Sequence, residues 1–77
     1  MANKRAEFLI EPDKLREMRE VMGLTQQQAA EIIYGTVRAW QSYEYRVTPI
    51  PRLKLEIFLR AYEEHQDRHN ARIRDGQ

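Results

Sequence analysis

The 77-residue sequence predicts a single all-α domain, and three observations carry that prediction. Apolar residues recur at helical spacing in several separate runs. Two short runs, each opened by a threonine, flank the dipeptide Tyr34-Gly35 in "GLTQQQAAEIIYGTVRAWQSYE". A pair of prolines, Pro49 and Pro51, then separates these runs from one long helix-forming segment.

The first helix is expected from Pro12 to Met22. Proline suits the first turn, where its missing N–H costs nothing, Asp13 favours the positive end of the dipole, and Leu15, Met18 and Met22 share a face. Gly23 ends it. Thr25 can cap a second helix, Gln26 to Ile33, with Ala29, Ala30 and Ile33 inward. Gly35 breaks that helix, and Thr36 caps a third, to about Tyr45, with Trp40 and Tyr43 inward. Residues 46–51 read as a loop. The last helix, 51–70, leaves a polar tail at 71–77, and residues 1–10 form an arm.

Composition excludes several classes of function. Without cysteine there is no disulfide framework, thiol nucleophile or Cys-based zinc site. The apolar run Phe8-Leu9-Ile10 is too short for a signal peptide or a membrane span, so a soluble, cytoplasmic protein is expected. A lone domain of this size buries only about 60% of the surface its unfolded chain exposes, which favours a dimer. Charge is uneven: residues 11–35 carry three basic and five acidic side chains, residues 36–60 five basic and two acidic. The second excess is a weak footprint of a polyanion, and ordinary surface charge would look the same.

Two short helices joined by a tight glycine-containing turn, with alanine inside the first, describe a helix-turn-helix. Arg19, Gly23-Leu24-Thr25-Gln26, Ala30, Thr36 and Tyr43-Glu44 resemble the Cro/cI-type, or XRE-like, family of small phage and mobile-element repressors, over roughly residues 15–59. Trp40-Gln41 before Tyr43-Glu44, then a proline loop and an apolar helix, is similar to a subgroup of very short regulators, some of them associated with anti-CRISPR operons. The resemblance implies a four-to-five-helix, lambda-repressor-like domain that binds an operator in double-stranded DNA as a homodimer, associated with the nucleoid and without cofactor. The turn between the two helices needs a residue of positive φ, which Gly35 or Tyr34 must provide; family members usually carry glycine where Tyr34 stands and a branched residue where Gly35 stands, so the two roles are expected to shift by one position. A glycine also usually stands at Arg46, whose cation is expected to replace a left-handed cap, and small Gly35 is expected to make room for Trp40.

The resemblance assigns DNA base contacts to Thr36, Val37, Arg38, Gln41 and Ser42, and phosphate contacts to Gln26, with Gln27, Tyr45 and Arg46 beside it. The helical wheel agrees, because Trp40 and Tyr43 inward leave 37, 38, 41, 42 and 45 outward. Arg19 and Glu44 match an ion pair of the family. Glu44 has no second acid, nucleophile or metal set near it, so no catalytic residue and no enzyme is expected. His65 and His69 are four apart, but among Glu64, Gln66, Asp67 and Arg68 they read as a solvated tail rather than a metal site. Lys4-Arg5 reads equally as a DNA-reaching arm or a loose terminus.

On the last helix, Leu53, Ile57, Ala61 and Phe58 form one arc, expected to pack inward. Leu55, Leu59 and Tyr62 extend it and are expected to form the dimer interface, unless Phe8-Leu9-Ile10 folds back over them. The function expected is a sequence-specific repressor on an inverted repeat, autoregulatory in one form. The alternative is an antitoxin or adaptor whose main partner is another protein.

Overall fold

The computed structural model describes residues 8–75, which form four helices: α1 (Pro12–Val21), α2 (Gln26–Ile32), α3 (Val37–Glu44) and α4 (Arg52–Asp75). The fold is all-α. Lys4 and Arg5 lie outside the described residues. The fourth helix runs past its expected end near Asn70, because Ala71-Arg72-Ile73-Arg74 holds no breaker and the next glycine is Gly76. Among the described residues no helix is long and apolar enough to cross a membrane.

The helix starts follow the expected chemistry. Pro12 occupies the first turn of α1, and Thr25 caps α2 in a reciprocal box: its hydroxyl accepts from the Gln28 N–H at 3.0 Å, and the Gln28 side chain accepts from the Thr25 N–H at 2.9 Å. The Thr36 hydroxyl accepts from the Ala39 N–H at 3.1 Å.

Each of the first three helices ends on a residue of positive φ, and only one of these is a glycine. Gly23 (φ 73), Tyr34 (φ 60) and Arg46 (φ 66) occupy these positions. The N–H one residue further on then reaches back to close the last turn: Leu24 to Arg19 O at 3.1 Å, Gly35 to Ala30 O at 2.9 Å and Val47 to Ser42 O at 3.0 Å. Two expectations fall here. The glycine role is not shifted, since Tyr34 itself takes the left-handed conformation while Gly35 does not. Nor does Arg46 replace a left-handed cap, because it adopts one.

The core lies between α1, α2 and α3 on one side and the inward face of α4 on the other. Trp40 and Phe58 are fully buried with ring centroids 4.9 Å apart, and Tyr43 meets the Trp40 edge at 6.3 Å. Ala29 and Ala30 have no exposed surface, as a close α2–α3 crossing requires. Gly35 does not make room for Trp40: a Cβ there would meet only Ile33 and Ala30 O, at 3.8 Å and beyond. Ile50, between the two prolines, is buried and pins the loop to the core.

The arcs of α4 are divided differently from the expectation. Leu55 and Phe58 are buried, with Leu59 and Tyr62 packed partly buried against them, so the expected interface residues Leu55, Leu59 and Tyr62 line the chain's own core. Leu53 and Ile57 face outward instead. The reason is that Phe58 sits between the two arcs on the helical wheel. Burying it centres the core face there and turns the far edge of the first arc to solvent.

Candidate nucleic-acid interface

One side of α3 is buried through Trp40, Tyr43 and Glu44, which leaves the rest of this eight-residue helix at the surface. Thr36, Arg38 and Tyr45 are exposed, while Val37, Gln41 and Ser42 are half-buried. On the helical wheel Val37, Arg38, Gln41, Ser42 and Tyr45 form one outward stripe, which Gln26 joins through its bonds to Gln41 and Tyr45. Thr36 and Arg46 stand at its two ends and Gln27 follows Gln26, and none of the nine residues expected to touch DNA is buried. Leu55, Leu59 and Tyr62 do not belong to this stripe.

The stripe carries two cations, Arg38 and Arg46, and the exposed carboxylates of Glu11 and Glu31 border it at Arg46 and Gln27. Arg46 donates to Glu11 Oε1 at 3.0 Å, in an exposed pair. Arg38 has no ion-pair or hydrogen-bond partner among the described residues, and it stands in the first turn of α3.

At the other end of α3, the Glu44 carboxylate is 1% exposed and organises the junction of α1, α2 and α3. Arg19 donates to it through Nε at 2.5 Å and Nη2 at 3.3 Å, and the Trp40 indole N–H and the Gln26 amide at 3.2 Å also donate. Burial alone would raise the Glu44 pKa. The hydrogen bonds from Arg19, Trp40 and Gln26, with the Arg19 charge, outweigh it and hold the group below its ordinary value. Arg19 also donates to Leu24 O at 2.9 Å, tying the α1–α2 connection into the same cluster.

This cluster changes what Gln26 can do. Its amide nitrogen donates to Glu44 and to the Tyr45 hydroxyl at 3.3 Å, and its carbonyl accepts from Gln41 at 3.1 Å. Both amide hydrogens are thus engaged within the chain, whereas the Tyr45 hydroxyl, an acceptor from Gln26, keeps its own hydrogen for an outside partner. Gln27 donates to Glu31 at 3.1 Å. The Arg19–Glu44 pair was expected; the links through Gln26, Gln41 and Tyr45 were not, since they join residues 15 to 19 apart in sequence. The Trp40–Glu44 bond alone had a visible cue, the i,i+4 spacing. Also unforeseen is Lys54, which donates to Ile33 O at 3.0 Å and ties α4 to the end of α2.

His65 is half-buried and His69 exposed on α4. Among the described residues no three His, Cys, Asp or Glu side chains gather as a metal site would require. No protein-family model matches the chain, and no characterised protein does.

Proposed function

We propose that α2, the turn at Tyr34-Gly35 and α3 form a helix-turn-helix within a lambda-repressor-like domain, and that the chain is a DNA-binding repressor. The observation that carries this reading is the outward side of α3, which bears no exposed carboxylate and is headed by a guanidinium with no partner among the described residues. An α-helix fits the major groove, where a planar guanidinium can fork onto the O6 and N7 of guanine. Thr36, Val37, Gln41 and Ser42 supply hydroxyl, amide and methyl groups of the kinds that read base edges. Tyr45 and, after exchange of its Glu11 partner, Arg46 reach phosphates. Gln26 acts chiefly by holding Gln41 and Tyr45 in place.

Two copies on an inverted repeat would set half-sites about one helical turn apart, roughly 34–36 Å. In this reading the protein works in the cytoplasm, bound to the nucleoid, without cofactor or catalysis. Selection of bound sequences from a random DNA pool tests it: an enriched, palindromic site is expected, and no enrichment over the starting pool would refute it.

A further inference from the structure

An open groove beside α4 is lined by Leu53, Glu56, Ile57 and Arg60, with Tyr34 approaching from the turn between α2 and α3. The four α4 residues recur at i, i+3, i+4 and i+7, so they make a single stripe on the side turned away from Leu55 and Phe58. It is apolar and open: Leu53 is 74% exposed, Tyr34 82% and Ile57 37%. Glu56 and Arg60 flank the apolar side chains, and neither forms an ion pair among the described residues, although their spacing suits one within the helix.

We propose that this stripe is where two copies of the chain pair, their α4 helices antiparallel about a two-fold axis, with Glu56 of each copy facing Arg60 of the other. The surface is self-complementary in that arrangement. An antiparallel two-fold reverses residue order, so an axis level with residue 58 sets position 56 of one copy level with position 60 of its partner, twice over. At a rise of about 1.5 Å per residue, the two Ile57 side chains then lie about 3 Å apart along the helices, and Leu53 of each copy stands about 4.5 Å along the helix from the level of the opposite Arg60. A parallel pairing in register would instead oppose Glu56 to Glu56 and Arg60 to Arg60. A second copy thus supplies both the apolar cover and the charges that the stripe lacks. The inference gives a surface to the two-copy part of the proposed function, and it stands without DNA.

Sedimentation of the full chain in the absence of DNA tests it, so its outcome is separate from that of the pool selection. Wild type should dimerise, and Leu53→Asp with Ile57→Asp should be monomeric. Glu56→Arg or Arg60→Glu alone should weaken the dimer about tenfold or more, because each places like charges opposite one another at two points. The double reversal, Glu56→Arg with Arg60→Glu, should restore it. Circular dichroism checks folding, and should the aspartates unfold the chain, the charge reversals, which touch no core residue, decide alone. A monomeric wild type, a dimer indifferent to these changes, or a double reversal no better than either single one overturns the proposal.

Discussion

The two ends of α3 are built in opposite ways. At its C-terminal end Glu44 is enclosed by donors from α1, α2 and α3 itself, and no buried side-chain polar atom in the described residues lacks a partner. At its N-terminal end Thr36 caps the helix, Arg38 points to solvent without an ion-pair partner among the described residues, and Val37 is only half covered. A helix of eight residues is too short to be stable or to hold its rotation unaided. The enclosed end therefore fixes how the open end is presented, and damage at one should differ in kind from damage at the other.

The largest effect is expected from the enclosed end. Glu44→Ala strands the Arg19 cation, which is only 13% exposed, together with the buried indole N–H of Trp40. Breaking a buried pair by removing one partner costs about 3–5 kcal/mol. At ~0.05–0.15 kcal/mol per residue, that is a large share of the whole stability of so small a domain. Urea unfolding should show a collapse of the midpoint or a chain already unfolded in buffer. A loss below ~1 kcal/mol, the range of an exposed pair, would show that the cluster is solvated.

The same carboxylate predicts a pH dependence. Its folded pKa lies below the ordinary value of 4.5, so the stability it contributes is full above that value and is lost as pH falls through the lowered folded value. Melting temperature should drop in that acid window for wild type. Glu44→Gln, which has no proton to gain, should be less stable at neutral pH and flatter through the window. Equal slopes would place the acid sensitivity elsewhere.

Damage at the open end should leave folding untouched and, under the proposed function, change DNA recognition. Arg38→Lys keeps the charge but not the planar fork, so selectivity at one position per half-site should fall, by ~1–3 kcal/mol of discrimination, while salt-dependent affinity persists. Arg38→Ala should lose the preference and reduce the salt slope by about one unit per contact. An unaltered guanine preference in the lysine variant would assign Arg38 to a phosphate.

This contrast between the ends was only half legible in the sequence. The open end could be read, because Trp40 and Tyr43 at a spacing of three fix the outward positions by geometry alone. The enclosed end could not, beyond the Arg19–Glu44 pair, since Gln26 meets Tyr45 and Gln41 only after α2 and α3 have packed. The same limit explains α4. Periodicity finds an apolar arc wide enough for two partners, but which edge faces the core depends on how Phe58 meets Trp40, a contact between distant residues. Helix stops misled for a different reason: glycine is a preference at left-handed positions, not a requirement, so the sequence left Tyr34 as no more than an alternative to Gly35 and hid the position of Arg46 altogether.

Those two residues flank α3 on either side and provide the smallest effects. A left-handed conformation costs a non-glycine residue ~1–2 kcal/mol, and glycine's greater freedom in the unfolded chain gives back ~0.5–1 kcal/mol of that advantage. Tyr34→Gly should therefore stabilise by up to ~1 kcal/mol. Gly35→Ala should add ~0.4–1 kcal/mol, because its φ is not positive and a Cβ there meets nothing closer than 3.8 Å. Arg46→Gly relieves the same strain but surrenders the exposed bond to Glu11, worth up to ~1 kcal/mol, so its net change should be near zero. Urea melts, run dilute enough that loss of the Tyr34 side chain from the α4 groove does not enter, should rank the double variant Tyr34→Gly with Gly35→Ala first, Tyr34→Gly next and Arg46→Gly last. A destabilised Tyr34→Gly would mean that the tyrosine ring contributes more to the turn than its left-handed backbone costs.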